Sequence, residues 1–159
     1  IELGVTWQAS EYLQIAAAYG NISGEWDSGT ITPDGYDLSG QTPPQIIKNS
    51  MTFDAIFQMP INQGFDVLAN LQVSQNGTMP GGKPCCGIVE NPEFTIVSIQ
   101  LGLLSESWEF MLHLDNVFDE QYYTDVEPFD NFGVDGPAKV MIGTHGHPGL
   151  FTASATYRF

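Results

Sequence analysis

LFTASATYRF, residues 150–159, alternates without a break: Phe151, Ala153, Ala155, Tyr157 and Phe159 fall on one side, and Thr152, Ser154, Thr156 and Arg158 on the other. Such period-two alternation makes a strand with one apolar and one polar wall. Six earlier segments share the design. Leu3, Val5 and Trp7 alternate with Glu2, Gly4, Thr6 and Gln8, and Leu13, Ile15, Ala17 and Tyr19 with Gln14, Ala16, Ala18 and Gly20. Met51, Phe53, Ala55, Phe57 and Met59 oppose Thr52, Asp54, Ile56 and Gln58. Phe65, Val67, Ala69, Leu71 and Val73 oppose Asp66, Leu68, Asn70, Gln72 and Ser74. Val97, Ile99, Leu101 and Leu103 mark a fifth strand, and Trp108, Phe110, Leu112 and Leu114 a sixth, against Glu109, Met111, His113 and Asp115.

The connections between these strands run short and long in turn. Residues 9–11, 60–64 and 105–107 are tight turns, whereas 23–49, 75–92 and 117–147 are long and rich in Gly, Pro and acidic residues. The acids include Glu25, Asp27, Asp34 and Asp37 in the first stretch and Asp119, Glu120, Asp125, Glu127, Asp130 and Asp135 in the third. A compact domain rarely carries several long irregular connections. Short turns at one rim with long loops at the other are the pattern of a membrane barrel. The expected fold is therefore all-β: an antiparallel transmembrane β-barrel fragment of about seven strands.

Composition narrows the function. The chain has 159 residues, the length of one domain, with 19 acidic residues against 4 Lys and Arg, a formal net charge of -15. That sign excludes nucleic acid as a partner. No apolar run reaches the roughly 18 residues of a membrane helix, which does not bear on barrel strands of about 9–11 residues. The opening at Ile1, already in strand register, reads as a processed or excised piece of something longer. The adjacent Cys85 and Cys86 exclude a framework of widely spaced disulfides and leave open a vicinal disulfide or two free thiols.

No nucleophile elbow, zinc-protease helix, P-loop or dinucleotide fingerprint is present, so no catalytic residue, enzyme activity or cofactor is expected. His145 and His147 have ligand spacing, but two histidines do not make a metal site. On the barrel phasing Trp7, Tyr19, Phe53, Phe57, Phe65, Leu71, Ile99, Leu101, Trp108, Phe110, Leu112, Phe151 and Tyr157 face lipid. Asp54, Asp66, Glu109, His113, Asp115 and Arg158 face a polar lumen, because an ionised group in lipid is costly. The loop acids Asp125, Glu127, Asp130 and Asp135 read as solvated surface, or as bridges to lipopolysaccharide through divalent ions.

WEFMLHLDNVFDEQYY, residues 108–123, resembles the penultimate strand of TonB-dependent outer-membrane receptors. The segment Asn116-Val117-Phe118-Asp119-Glu120-Gln121-Tyr122 is similar to the family's Asn-Leu-Phe-Asp-x-x-Tyr. Gly146-His147-Pro148-Gly149-Leu150-Phe151 through Tyr157-Arg158-Phe159 resembles its closing strand. Where the family often has arginine beside the proline, this chain has His147 and Gly149. Leu38-Ser39-Gly40 and Pro43-Pro44 resemble the stretch before a late hairpin.

The resemblance implies that residues 1–159 are the C-terminal part of a barrel of about 22 strands, with the N-terminal plug domain and TonB box outside this chain. It implies TonB-dependent uptake of a scarce nutrient, a ferric siderophore as the commonest class, in the bacterial outer membrane. The implied partners are outer-membrane lipid and lipopolysaccharide, the remaining strands and plug, TonB, and the assembly machinery that reads a C-terminal aromatic, here Tyr157 and Phe159. Two alternatives come from other classes: a porin-like passive outer-membrane channel, and a secreted carbohydrate-binding β-sandwich.

Overall fold

The structure, a computed structural model, describes residues 1–33, 35–62, 64–83, 87–129 and 140–159. Among the described residues the chain forms strands β1 (Glu2–Gln8), β2 (Leu13–Asn21), β3 (Asn49–Asn62), β4 (Phe65–Asn76), β5 (Met79–Lys83), β6 (Gly87–Asn91), β7 (Phe94–Ser105), β8 (Trp108–Asp115), β9 (Tyr123–Phe129), β10 (Val140–His145) and β11 (Leu150–Tyr157). One antiparallel sheet has the order β1-β2-β3-β4-β7-β8-β11, and β5-β6 and β9-β10 are separate two-stranded sheets.

Each short turn has its own fastening. Ser10 Oγ accepts the amides of Tyr12 and Leu13, Gly64 takes a φ of +86° that an L side chain would resist, and Ser105 Oγ accepts the Trp108 amide. Register then carries the alternation across the sheet. Val5 pairs with Ala17, Ala17 with Phe53, Phe53 with Val73 and Val73 with Val97. Further along, Leu101 pairs with Leu112 and Leu112 with Ala153. Cross-strand partners share a face, so one face of all seven strands is apolar.

No second layer among the described residues covers that face. Among the described residues, Leu38 is the one hydrophobic side chain in the buried class, and it lies in the β2–β3 connection, whereas Leu3, Val5 and Trp7 are 65%, 63% and 61% exposed. The two extra hairpins lie within connections that read as loops in the sequence. They pack on one another, β9 touching both β5 and β6. Gly81 permits this approach, since a Cβ there would strike the Val126 carbonyl.

The transmembrane barrel expected from the sequence is not what the chain forms. The large sheet is open, with β1 and β11 as its two edges, and neither hairpin closes either. Among the described residues the strands number eleven in three sheets rather than seven in one wall. The reason is physical: alternation reports that a strand has one apolar face, and turn lengths report a meander, but neither says whether the outermost strands meet. Outer-membrane placement and uptake driven by TonB, expected from the turn pattern and the resemblance, lose their support with the sheet open. The same holds for siderophore uptake and iron transport. The expected partners go too: no plug, further barrel strand or TonB box is found among the described residues. No described helix is long and apolar enough to cross a membrane.

Candidate functional site

The residues expected to face lipid gather on the apolar face. Trp7, Tyr19, Phe53, Leu71, Leu101, Trp108, Phe110, Leu112, Phe151 and Tyr157 are exposed there, while Phe57, Phe65 and Ile99 are half-buried. At the short-turn end near β11 the rings form a strip. Trp108 and Phe110 lie 5.4 Å apart and 4° from parallel, Trp108 and Tyr157 are 4.7 Å apart, and Tyr157 meets Phe159 edge-on at 4.9 Å. Near β1 the small Ala17, flanked by Val5 and Phe53, leaves a dip of about 400 Å³ that Leu3, Tyr19 and Met51 also border.

The residues expected in a lumen occupy the opposite face and mostly bind their cross-strand neighbours. Gln72 Nε2 donates to Asp54 Oδ1 at 3.0 Å, and Gln58 Nε2 to Asp66 Oδ2 at 3.1 Å. Arg158 Nη2 pairs with Glu109 Oε2 at 2.8 Å, in the open. His113 sits in register between Gln100 and Thr152, and Asp115 ends β8 opposite Leu150. Such neighbour-to-neighbour pairs make a polar sheet surface rather than a convergent site. One group stands apart: Asn70 Oδ1 is buried without a partner.

The motif residues form a knot where β8 ends and β11 begins. Asn116 is 3% exposed, and its Nδ2 donates to the carbonyls of Glu120 and His147 while its Oδ1 accepts the Glu120 amide. Asp119 Oδ1 accepts the Gly149 amide at 2.8 Å. Both residues have positive φ, 49° and 50°, a region that Asn and Asp enter more readily than other side chains. Tyr122 stacks on Phe94 at 4.3 Å, its hydroxyl accepts the His147 amide, and its ring fills the space where a Gly146 side chain would be. Val117 and Phe118 are exposed, and nothing in the structure explains Phe118. Pro148, also exposed, borders a small recess with Glu120, His145 and His147.

No group of three or more His, Cys, Asp or Glu among the described residues is placed to hold a metal ion. Cys85, Cys86, Asp130 and Asp135 lie outside the described residues, as does the side chain of Glu127. Asp125 is half-buried in β9.

Sequence reasoning missed a further cavity. The long connections converge at one end of the large sheet around a space of about 250 Å³ lined by Ile47, Met79, Asn91, Phe94, Tyr123 and Thr124, among others. Asn91 is 2% exposed, and among the described residues neither its Nδ2 nor its Oδ1 has a hydrogen-bond partner. A buried unpaired polar group is destabilising by about 1–3 kcal/mol, so such a carboxamide asks for an explanation. In the sequence it is one polar residue in Glu90-Asn91-Pro92-Glu93, which reads as an ordinary turn.

No protein-family model matches the chain, and no curated protein matches it in sequence. The likeness of residues 108–123 and 146–159 to TonB-dependent receptors thus has no support as identity. The knot supplies a local, structural reason for the same residues: they fasten a long connection to the head of β11.

Proposed function

We propose that the chain is a binding module whose working surface is the apolar face and free edges of its seven-stranded sheet, and that its partner is a polypeptide that adds a β-strand. The observation that carries this reading is the state of the two edges. Natural sheets blunt an exposed edge with Lys, Pro, a bulge or a covering loop. β1 and β11 contain no Lys or Pro, pair with β2 and β8 without a bulge, and are exposed along their whole length. Exposed apolar faces on this scale mark interaction surfaces. Lipid could cover the face, but lipid cannot satisfy the unpaired backbone amides and carbonyls of an edge, whereas an added strand does.

A peptide with the sequence of residues 108–115, the strand that β11 already accepts on its inner side, tests this in the full chain. The expected result is slower hydrogen exchange at the outward-facing amides of β11. Unchanged exchange at both edges together with binding of the chain to phosphatidylcholine vesicles would overturn the reading. The near-parallel exposed rings of Trp108 and Phe110, with Tyr157 beside them, favour a second reading as a carbohydrate-binding surface, since such rings stack on the apolar faces of sugars. Quenching or enhancement of Trp108 fluorescence by a soluble oligosaccharide, abolished in Trp108→Ala, would select it.

A further inference from the structure

The cavity at the long-connection end carries an inference independent of the sheet's face and edges. We infer that it is a binding site for a small uncharged molecule with an apolar body and a carboxamide-like edge, a donor next to an acceptor. Three features point there. The lining side chains Ile47, Met79, Phe94 and Tyr123 offer an aliphatic and aromatic wall, and among the described residues no carboxylate, Lys, Arg or His takes part. In a chain with 19 acidic residues, a lining without a charge selects for a neutral occupant.

The volume, about 250 Å³, suits a single-ring compound, since apolar cavities of about 150 Å³ already admit benzene. The third feature is Asn91: its donor and its acceptor are both unpaired, so the group that completes it must bring both kinds in one place. A primary amide or a lactam does so in a two-point contact. These two atoms are closed to water in the present arrangement. A ligand meets them by turning the Asn91 side chain toward the space that the residue already borders. Pro92, Tyr123 and Thr124, all solvent-exposed, leave that space open from outside.

Titration of the isotope-labelled full chain with benzamide, and separately with toluene, tests the assignment by nuclear magnetic resonance. Benzamide should give saturable shifts at the Asn91 side-chain amide and at Met79 and Tyr123. It should bind at least about tenfold more tightly than toluene, because toluene leaves the carboxamide unpaired. In Asn91→Leu, which keeps the size and removes both polar atoms, the preference should vanish while toluene still binds. Equal affinities of the two compounds in the native chain would overturn the proposal without reference to any variant. So would long-lived waters at Asn91 with no saturable shift on adding benzamide, which would show a cavity that holds water only.

Discussion

The knot at residues 116–122 and the apolar face of the large sheet treat their surfaces in opposite ways. In the knot, Asn116 makes three side-chain hydrogen bonds, all to backbone groups of its own chain, and Tyr122 covers Gly146 and Phe94. On the apolar face, Leu3, Val5, Trp7 and Phe151 remain 61–65% exposed, although each is large and apolar. The contrast separates what the chain uses to hold itself together from what it leaves for something else. Backbone ladders and polar fastenings build the sheet; apolar burial, the usual main term, is left largely undone.

The strongest test of that division is Asn116→Ala. It removes three hydrogen bonds from a nearly water-free site and places a side chain with no local polar group at φ 49°. At about 0.5–1.5 kcal/mol per bond, with a further term for the backbone, the loss should be about 2–4 kcal/mol, a large part of a typical domain's stability. Urea unfolding of the variant checks it. A loss no larger than that from an exposed-face substitution would mean that the knot is decoration and the comparison false.

The division also explains what the sequence disclosed. The seven strands of the large sheet lie where alternation places them because each has one polar and one apolar wall, and that is a local property. The hairpins β5–β6 and β9–β10 were invisible. Met79-Pro80-Gly81-Gly82-Lys83 and Pro128 within β9 read as breakers, and those strands owe their place to backbone contact such as Gly81 against Val126. Asn116, Asp119 and Tyr122 could be singled out as a motif, but not as a fastening, because their partners lie some 30 residues on, at His147 and Gly149. Whether β1 and β11 join is a property of chain ends far apart in sequence, and no periodicity contains it. Asn91 gave no signal at all, since a residue's missing partners show only once its neighbours are placed.

Smaller in stability but sharper in function is the pair Leu112 and His113. They are adjacent in β8 and point to opposite faces, Leu112 beside Leu101 and Ala153, His113 beside Gln100 and Thr152. Leu112→Arg should abolish the dye binding and partner docking of the apolar face while changing unfolding by less than about 1 kcal/mol, because Leu112 is 40% exposed in the chain alone. His113→Arg should leave docking intact. Equal loss of docking in both variants would show that the face is not the working surface; loss with the histidine change alone would exchange the two faces.

The smallest effect belongs to the β2–β3 connection, which resembles the knot in design but stands in water. Asp37 Oδ1 accepts both the Ser39 hydroxyl, at 2.6 Å, and the Ser39 amide, at 2.9 Å, and Ser39 Oγ in turn accepts the Gly29 amide. The hydroxyl first, and the amide second, hold the Asp37 carboxyl below its ordinary value. A depressed carboxylate contributes above the unfolded-state pKa, about 3.9, and loses that contribution as pH falls through its lower folded value. The Ser39 and Gly29 amide resonances should therefore stay constant above about pH 5 and move at a midpoint below the usual aspartate value. Asp37→Asn should flatten that titration. A midpoint at or above the ordinary value would mean that solvent competes successfully for the carboxylate, leaving the enclosed knot as the more firmly fastened of the two motifs.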